Sequence, residues 1–336
     1  MSEVTLVRGD GIGREVVGAA LRVLDAAGAA YSWDEQVAGL EAVERGLDPL
    51  PEETIASFRR TGLCLKGPLT TPVGGGFRSV NVALRKEFDL FANVRPSKTI
   101  LPGGRYEDVD LVIIRENTQG LYIGEERYVD DAHTAVESVA RVTREASRRV
   151  IAYAFRFAAA RPRRKLTLVH KANILKLLTG MFLGVGRELA AEHPEVEFDD
   201  RIIDATAMQL VLDPTRFDTI VTTNMFGDIL SDLCAGLVGG LGLAPAANVG
   251  QSAAMFEAVH GSAPDIAGKG IANPSALIFA AAMMCDHVGQ PEAGRRAREA
   301  TESVLRERRT LTPDLGGTST TETFTDAVLA AMPAAR

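Results

Sequence analysis

Three observations predict an α/β protein for this 336-residue chain. Short, apolar, β-rich runs alternate with longer stretches of helical periodicity, a pattern that implies substantial parallel sheet. The length exceeds what one core usually supports, so two packed lobes are expected. Neither an internal repeat nor a low-complexity linker interrupts the alternation.

Taken in order, Val4 to Val7 reads as a strand, and Gly9, Gly11 and Gly13 form the turn that follows it. A helix with apolar residues at helical spacing then covers 14–27. Further strands are expected at 63–65, 90–94, 111–114, 166–169, 202–203 and 219–221. Helices are expected at 78–87, 144–160, 180–192, 228–237, 274–287 and 291–306, with another opening at Asp204. The GDGIG turn invites a dinucleotide-fingerprint reading, but its glycine spacing departs from G-x-G-x-x-G. A tight strand-to-helix connection is the better account.

A formal net charge of −7 argues against a nucleic-acid binder, which would show a basic field or stripe. Cys64, Cys234 and Cys285 make no metal-ligand spacing and no disulfide framework, and they read as small buried apolar residues. The N-terminus shows no secretory pattern and the apolar runs stop short of a membrane span, so a cytoplasmic location is expected.

Four segments place polar groups inside otherwise apolar patterns. The first, Lys66 to Gly76, is a glycine loop leading into a helix that carries Ser79 in its first turn, then Asn81 and Arg85. A glycine loop before a helix start leaves backbone N–H groups for an anion. An N-capped surface helix with an exposed arginine is the plainer alternative. The second sets Arg95 and Arg115 at predicted strand ends, where ligands of open α/β sheets bind. With Arg85 they could hold a carboxylate-rich molecule through bidentate bonds.

The third is a carboxylate set. Asp228 and Asp232 stand four apart on one helix face, and Asp204 opens another helix. Oxygen ligands of this kind suit Mg²⁺ or Mn²⁺; acids complementing a helix dipole are the alternative. The fourth runs from Glu257 through His260, Gly261, Ala263, Asp265 and Ile266 to Asn273, a small-residue loop ending in an Asn-Pro helix start. Such a loop lets a cofactor approach the backbone closely.

At these segments the chain resembles the β-decarboxylating dehydrogenases, the family of isocitrate, isopropylmalate and homoisocitrate dehydrogenases. The likeness extends from GDGIG to TPDLGGTSTT and is most specific in NMFGDILSDLCAGLVGGLG. It implies the isopropylmalate dehydrogenase-like fold, two α/β lobes around a shared mixed sheet, and not a Rossmann fold. The larger, cofactor-binding lobe would comprise 1–93 and 245–336. The smaller, 94–244, would hold the dimer interface and the metal ligands. The resemblance also implies a homodimer, possibly a higher oligomer, whose active sites borrow residues across the interface.

By motif match it implies Arg85, Arg95 and Arg115 as the substrate clamp and Tyr122 as the catalytic tyrosine. Lys171 would be the lysine reaching in from the other subunit, with Asn173 beside it. Asp228, Asp232 and the partner's Asp204 would be the metal ligands. Thr71, Glu257, His260, Gly261, Ala263, Asp265, Ile266 and Asn273 would hold the cofactor. Ser79 and Asn81 match the pair that grips the γ-carboxylate of isocitrate in the family, which puts isocitrate ahead of homoisocitrate and isopropylmalate. Asp265 and Ile266 stand where NADP users place lysine and tyrosine, so NAD is expected. A non-catalytic regulatory subunit is the alternative from another class.

Overall fold

Residues 2–71, 77 and 79–333 are described by a computed structural model, and they form two compact units. The first unit comprises Met1–Phe88, Thr99–Glu107 and Val238–Arg336; the second comprises Asp89–Lys98 and Asp108–Leu237. Most of the expected glycine loop (72–76) and Arg78 lie outside the described residues.

The first unit begins with β1 (Ser2–Val7), whose last four residues are buried, and α1 (Gly13–Ala27). Between them the GDGIG turn acts as a tight connection. Gly9 and Gly11 take left-handed φ of 77° and 56°, and a Cβ on Gly11 would lie 2.0 Å from the Ser262 carbonyl oxygen. Then come β2 (Tyr31–Gln36), α2 (Leu40–Glu44), α3 (Glu52–Thr61), β3 (Leu63–Lys66) and α4 (Val80–Glu87).

The second unit carries β4 (Ala92–Lys98), β5 (Asp110–Glu116), β6 (Gly120–Tyr128) and β7 (Val136–Arg141). These are followed by α5 (Arg144–Ala160), β8 (Lys165–His170), α6 (Leu178–Glu192), β9 (Glu197–Ile202), α7 (Ile203–Leu212), β10 (Thr219–Thr222) and α8 (Asn224–Leu237). Its main strands run β4-β5-β10-β8-β9; β4 and β5 are antiparallel and the rest parallel. Helix α5 covers β5, β8 and β10, while α8 packs on β4, β5 and β6. β6 and β7 pair with each other as a separate antiparallel arm.

The chain returns to the first unit with β11 (Pro245–Val249), β12 (Ala254–Ala258), α9 (Ser275–His287), α10 (Pro291–Glu307) and α11 (Thr321–Ala330). The strands of this unit run β2-β1-β3-β12-β11, parallel except for the β11/β12 pair. α9 is apolar nearly all round and buried beneath α1, α10 and the last two strands, which makes it the core of the unit. All three cysteines are buried and free. No described helix is long and apolar enough to cross a membrane.

Three expectations need correction. The strand placed at 202–203 is β9, which ends at Ile202, and Ile203 already begins α7. The helix placed at 78–87 starts at Val80, with Ser79 as its N-cap rather than in its first turn. Arg95 does not end a strand: β4 continues through Pro96 to Lys98, paired along its length with β5.

Candidate active site

The charged residues of the second unit converge through strand register. Asn93 lies opposite Arg115 across the β4/β5 pair, and Arg95 is two residues from Asn93. Period-two alternation therefore puts all three side chains on one face, the face that α8 covers. Arg115 is 1% exposed and Arg95 6% exposed, so each guanidinium needs internal partners. Arg115 donates to Asn224 Oδ1 at 3.0 and 2.7 Å and to Asp228 Oδ1. Arg95 donates to Asn93 at 3.1 Å, Ser231 at 2.7 Å, Asp228 at 3.2 Å and Asp232 at 3.4 Å.

Tyr122, from β6, completes this cluster. Its hydroxyl donates to Asp228 Oδ2 at 2.5 Å, and its ring lies 5.0 Å from the Arg115 guanidinium. Burial, then the bond to Asp228, holds the phenol proton above its ordinary pKa, so Tyr122 stays a proton donor at neutral pH. Asp228 thus gathers Arg95, Arg115 and Tyr122 on one carboxylate. Close approach of α8 depends on Gly227, where a Cβ would sit 2.6 Å from the Arg115 side chain.

Because α8 begins at Asn224, Asp228 stands in its second turn, too deep for a dipole-complementing role to be the main one. Asp228 and Asp232 share one side of the helix as expected. Burial and the charge of Asp228 push the Asp232 carboxyl up, against the pull of Arg95. Two near carboxylates of this kind suit a hard divalent cation as part of its oxygen shell. Among the described residues of one chain, no group of three His, Cys, Asp or Glu forms a complete cage.

Asp204 is engaged elsewhere. At the start of α7 it accepts from Lys171, and both side chains are partly open to solvent. The segment bearing Lys171 is pinned by His170: the Ala172 N–H donates to its Nδ1 at 3.0 Å, which leaves Nε2–H to face Asp200 at 3.1 Å. Asn173 is exposed. Around these residues Ile174, Leu177, Met208, Leu212 and Ile229 are exposed, Leu177 by 88%, and the β6/β7 arm exposes Tyr128, Val129, Val136 and Val139.

In the first unit, α4 carries Ser79, Asn81 and Arg85. Ser79 Oγ accepts weakly from the Val82 N–H at 3.5 Å and keeps its own proton to donate. Asn81 Oδ1 and Arg85 Nε are buried with no partner among the described residues. Arg85 is not the exposed arginine of a surface helix: it is 8% exposed and donates to Glu257 at 3.2 Å. Glu257, included among the cofactor residues, has both carboxylate oxygens engaged internally, by Arg85, Lys66 and Asn248.

The loop after β12 forms one wall of a cavity of about 640 Å³, a volume suited to a large organic ligand. Five of the expected cofactor residues, His260, Gly261, Ala263, Ile266 and Asn273, line it. Thr71 and Asp265 are exposed and are not part of this wall. His260 donates from Nδ1 to the Gly261 carbonyl at 2.9 Å, leaving Nε2 buried, unprotonated and without a partner among the described residues. An acceptor held this way fits a ligand hydroxyl or amine. Ala263 takes a left-handed φ of 40° at the tip of the loop.

Sequence reasoning missed several parts of this wall. Ile12, from the GDGIG turn, and Asp314, from the TPDLGG segment, line the cavity. Asp10 caps the opposite side of the turn by accepting from the Thr70 N–H at 2.7 Å, and Ile12 N–H donates to Ser262 O at 2.9 Å. The turn therefore ties the Lys66–Thr71 stretch to the loop after Glu257. Its unusual glycine spacing was the available signal. Asn273 accepts from the Ser275 N–H and donates to Asp314, which fixes the start of α9 as well as the cavity wall.

An α/β protein with a carboxylate-bearing helix under two buried arginines, and a separate small-residue cavity, has close relatives among known proteins. Residues 3–328 match the sequence model of the isocitrate/isopropylmalate dehydrogenase family, and the chain belongs to that family. Its structure superposes with a TM-score of 0.96 on isocitrate dehydrogenase from Methylococcus capsulatus, 54% identical, covering 98% of this chain and 99% of that one. It is 51% identical over 333 residues to the isocitrate/homoisocitrate dehydrogenase of Thermus thermophilus, spanning 98% of each chain. It is also 47% identical over 330 residues to the 3-isopropylmalate dehydrogenase of Archaeoglobus fulgidus, again 98% of each. The family is one of β-decarboxylating dehydrogenases, so the chain is an enzyme of that class. The fold is the one the resemblance implied.

Proposed function

We propose that this enzyme oxidises isocitrate with NAD and decarboxylates the product to 2-oxoglutarate, with a divalent cation, Mg²⁺ or Mn²⁺, and as a homodimer. The observation that carries the substrate is Asn81. Its side-chain oxygen is buried without a partner among the described residues, and leaving such a polar group against an isopropyl group costs about 1–3 kcal/mol. A substrate arm ending in a carboxylate would instead accept from the Ser79 hydroxyl and from Asn81 Nδ2–H, with the amide turned so that its nitrogen faces the ligand. Homoisocitrate is the second reading, because a pocket separates one methylene by only about 1–3 kcal/mol.

Asp228 and Asp232 would hold the cation together with the partner's Asp204, a division favoured by the separation of Asp204 from the other two within one chain. The exposed apolar residues around Lys171, α7 and the β6/β7 arm would meet a second copy of the chain. When bound, NAD supplies the hydride acceptor and the cation supplies positive charge for developing oxygen anions.

The remaining work falls to side chains. Arg85, Arg95 and Arg115 would orient the carboxylates, including the one that leaves as CO₂. Lys171 would take the proton of the substrate hydroxyl as the C–H hydride departs. After the C–C bond breaks, Tyr122 would deliver its proton to the enolate carbon, consistent with its elevated pKa.

The test is one set of initial rates with isocitrate, homoisocitrate, isopropylmalate, malate and tartrate, using the purified protein alone with NAD and Mg²⁺ or Mn²⁺. Isocitrate should give the highest kcat/KM. A tenfold preference for any other acid would overturn the substrate, and no turnover of any would favour a regulatory subunit. For the cofactor, Asp265 would favour two free ribose hydroxyls by repelling a 2′-phosphate. The double variant Asp265→Lys/Ile266→Tyr should shift the NAD/NADP ratio of kcat/KM toward NADP by at least about 10-fold; an unmoved ratio would count against NAD as assigned.

A further inference from the structure

The loop after β12 lines two cavities, and little holds its middle. Ala263 and Ile266 belong to the wall of the cavity of about 640 Å³ described above. Lys269 and Gly270, a few residues on, line a second cavity of about 380 Å³ together with Glu15, Arg22, Thr321 and Thr325. The reaction scheme makes no use of this second cavity. A stretch of chain that borders open space twice gains little from packing, so its shape must come from hydrogen bonds.

The ends of the loop are well held. Ser262 accepts at its carbonyl from the Ile12 N–H at 2.9 Å, and its hydroxyl lies 2.6 Å from that of Thr70. Beyond the middle, Thr321 donates from its N–H to the Gly270 carbonyl at 2.8 Å and from its hydroxyl to the Ala272 carbonyl at 2.6 Å. Between these anchors, the Ile266 N–H bonds to Ala263 O at 3.1 Å and the Lys269 N–H to Ile266 O at 3.2 Å, which only closes the stretch on itself. Among the described residues, one hydrogen bond joins 263–269 to another element: the Gly268 N–H donates to Glu15 Oε1 at 2.7 Å.

Glu15 stands in the first turn of α1, where complementing the helix dipole is its plainer use. Two observations give it more to do. Gly268 is held at a φ of 75°, and glycine populates φ of either sign with similar ease, so without the bond other states are open to it. The second carboxylate oxygen, Oε2, is buried with no partner among the described residues. A side chain serving only the dipole could avoid that cost by turning to water.

We propose that Glu15 is a positioning residue for the cofactor: its bond to the Gly268 N–H tethers the middle of the loop and so holds Asp265 and Ile266 in the shape that receives NAD. This rests on the loop binding NAD, as proposed above. An untethered loop spends time in other shapes, and the apparent affinity for NAD falls in proportion to the population of the receiving one.

Two substitutions separate the tether from the dipole. Glu15→Ala removes both the charge and the acceptor, whereas Glu15→Gln removes the charge and keeps an oxygen for the Gly268 N–H. In Glu15→Ala, KM and Kd for NAD should rise about 10-fold, the weight of one charge-assisted bond. At saturating NAD, kcat and KM for the hydroxy acid should stay within about 2-fold of wild type. Glu15→Gln should keep KM for NAD within about 3-fold. The loop is also read without turnover. Lys269 is exposed, and cleavage by trypsin after it follows the time the loop spends open. Without NAD, that cut should come about 10-fold faster in Glu15→Ala than in wild type or Glu15→Gln. Should Glu15→Ala fail to fold, Glu15→Leu, which refills the space without an acceptor, takes its place with the same expectations.

Glu15→Gln as impaired as Glu15→Ala overturns the proposal, because charge and not the tether would then matter. So does an unmoved cleavage rate in Glu15→Ala, or a rise of equal size in KM for the acid. A wild type that binds no NAD refutes the proposed cofactor, and this proposal with it. A wild type that binds NAD no more tightly than Glu15→Ala refutes this proposal alone.

Discussion

Asp228→Asn should lower kcat/KM by about a thousand-fold, a loss of about 4 kcal/mol in transition-state stabilisation. One carboxylate is shared by Arg95, Arg115 and Tyr122. The neutral amide removes a proposed cation ligand and takes away the charge toward which two buried guanidinium groups are turned. Unfolding should also come earlier, by about 1–3 kcal/mol, because Asn93, Asn224, Ser231 and Asp232 still hold the arginines. Steady-state rates at several Mg²⁺ concentrations and a thermal melt separate the two effects. A variant that keeps a tenth of wild-type kcat/KM would remove Asp228 from the centre of the scheme.

Lys171→Met should depress kcat by about 10²–10⁴, the weight of a positioned general base. Its stronger consequence appears in mixtures. Lys171 and Asp204 pair with each other, apart from the Asp228 cluster, and exposed apolar residues surround them. If both serve the neighbouring subunit, two inactive proteins should complement. In a mixed dimer of Lys171→Met and Asp228→Asn, one site receives both defects and the other receives none. Random assortment makes about half of the dimers mixed, so co-refolded protein should regain about a quarter of wild-type activity. Activity that stays at the sum of the two parents would show that each chain builds its own site.

The parts of the fold legible in the sequence were those with one strong pattern. Helix α5 was expected at 144–160 and occupies Arg144–Ala160, because buried residues such as Val150, Ile151, Ala154, Phe155 and Ala158 follow helical spacing. Strands β5, β8 and β10 have apolar centres and are buried along nearly their whole length inside the sheet. The β6/β7 arm was not anticipated. Most of its residues are exposed on both faces, so no apolar alternation distinguishes inside from outside. Strand β2 was missed for a similar reason, and the alanine-rich β11 and β12 carry a single β-branched residue, Val249.

Among the candidate site residues, the motifs singled out Arg115, Tyr122 and Asp228, which the structure brings together, and the loop at His260, which lines a cavity. What they could not announce was pairing. That Lys66 would share Glu257 with Arg85 depends on a parallel register between strands almost two hundred residues apart in sequence. Arg95 shows the opposite case: its position relative to the strand was misjudged, yet its partnership with Asp232 follows from sheet alternation once the true boundary is known.

Gly227 leaves the sequence little freedom to drift. The surrounding space is already filled by the aliphatic stem of Arg115, so even an alanine there would shove that stem aside. Once displaced, the stem would carry its guanidinium away from Asn224 and from the tyrosine ring together. A methyl group at a position with no polar atom and no proposed chemistry would thus damage the enzyme as surely as a change to the residues that react.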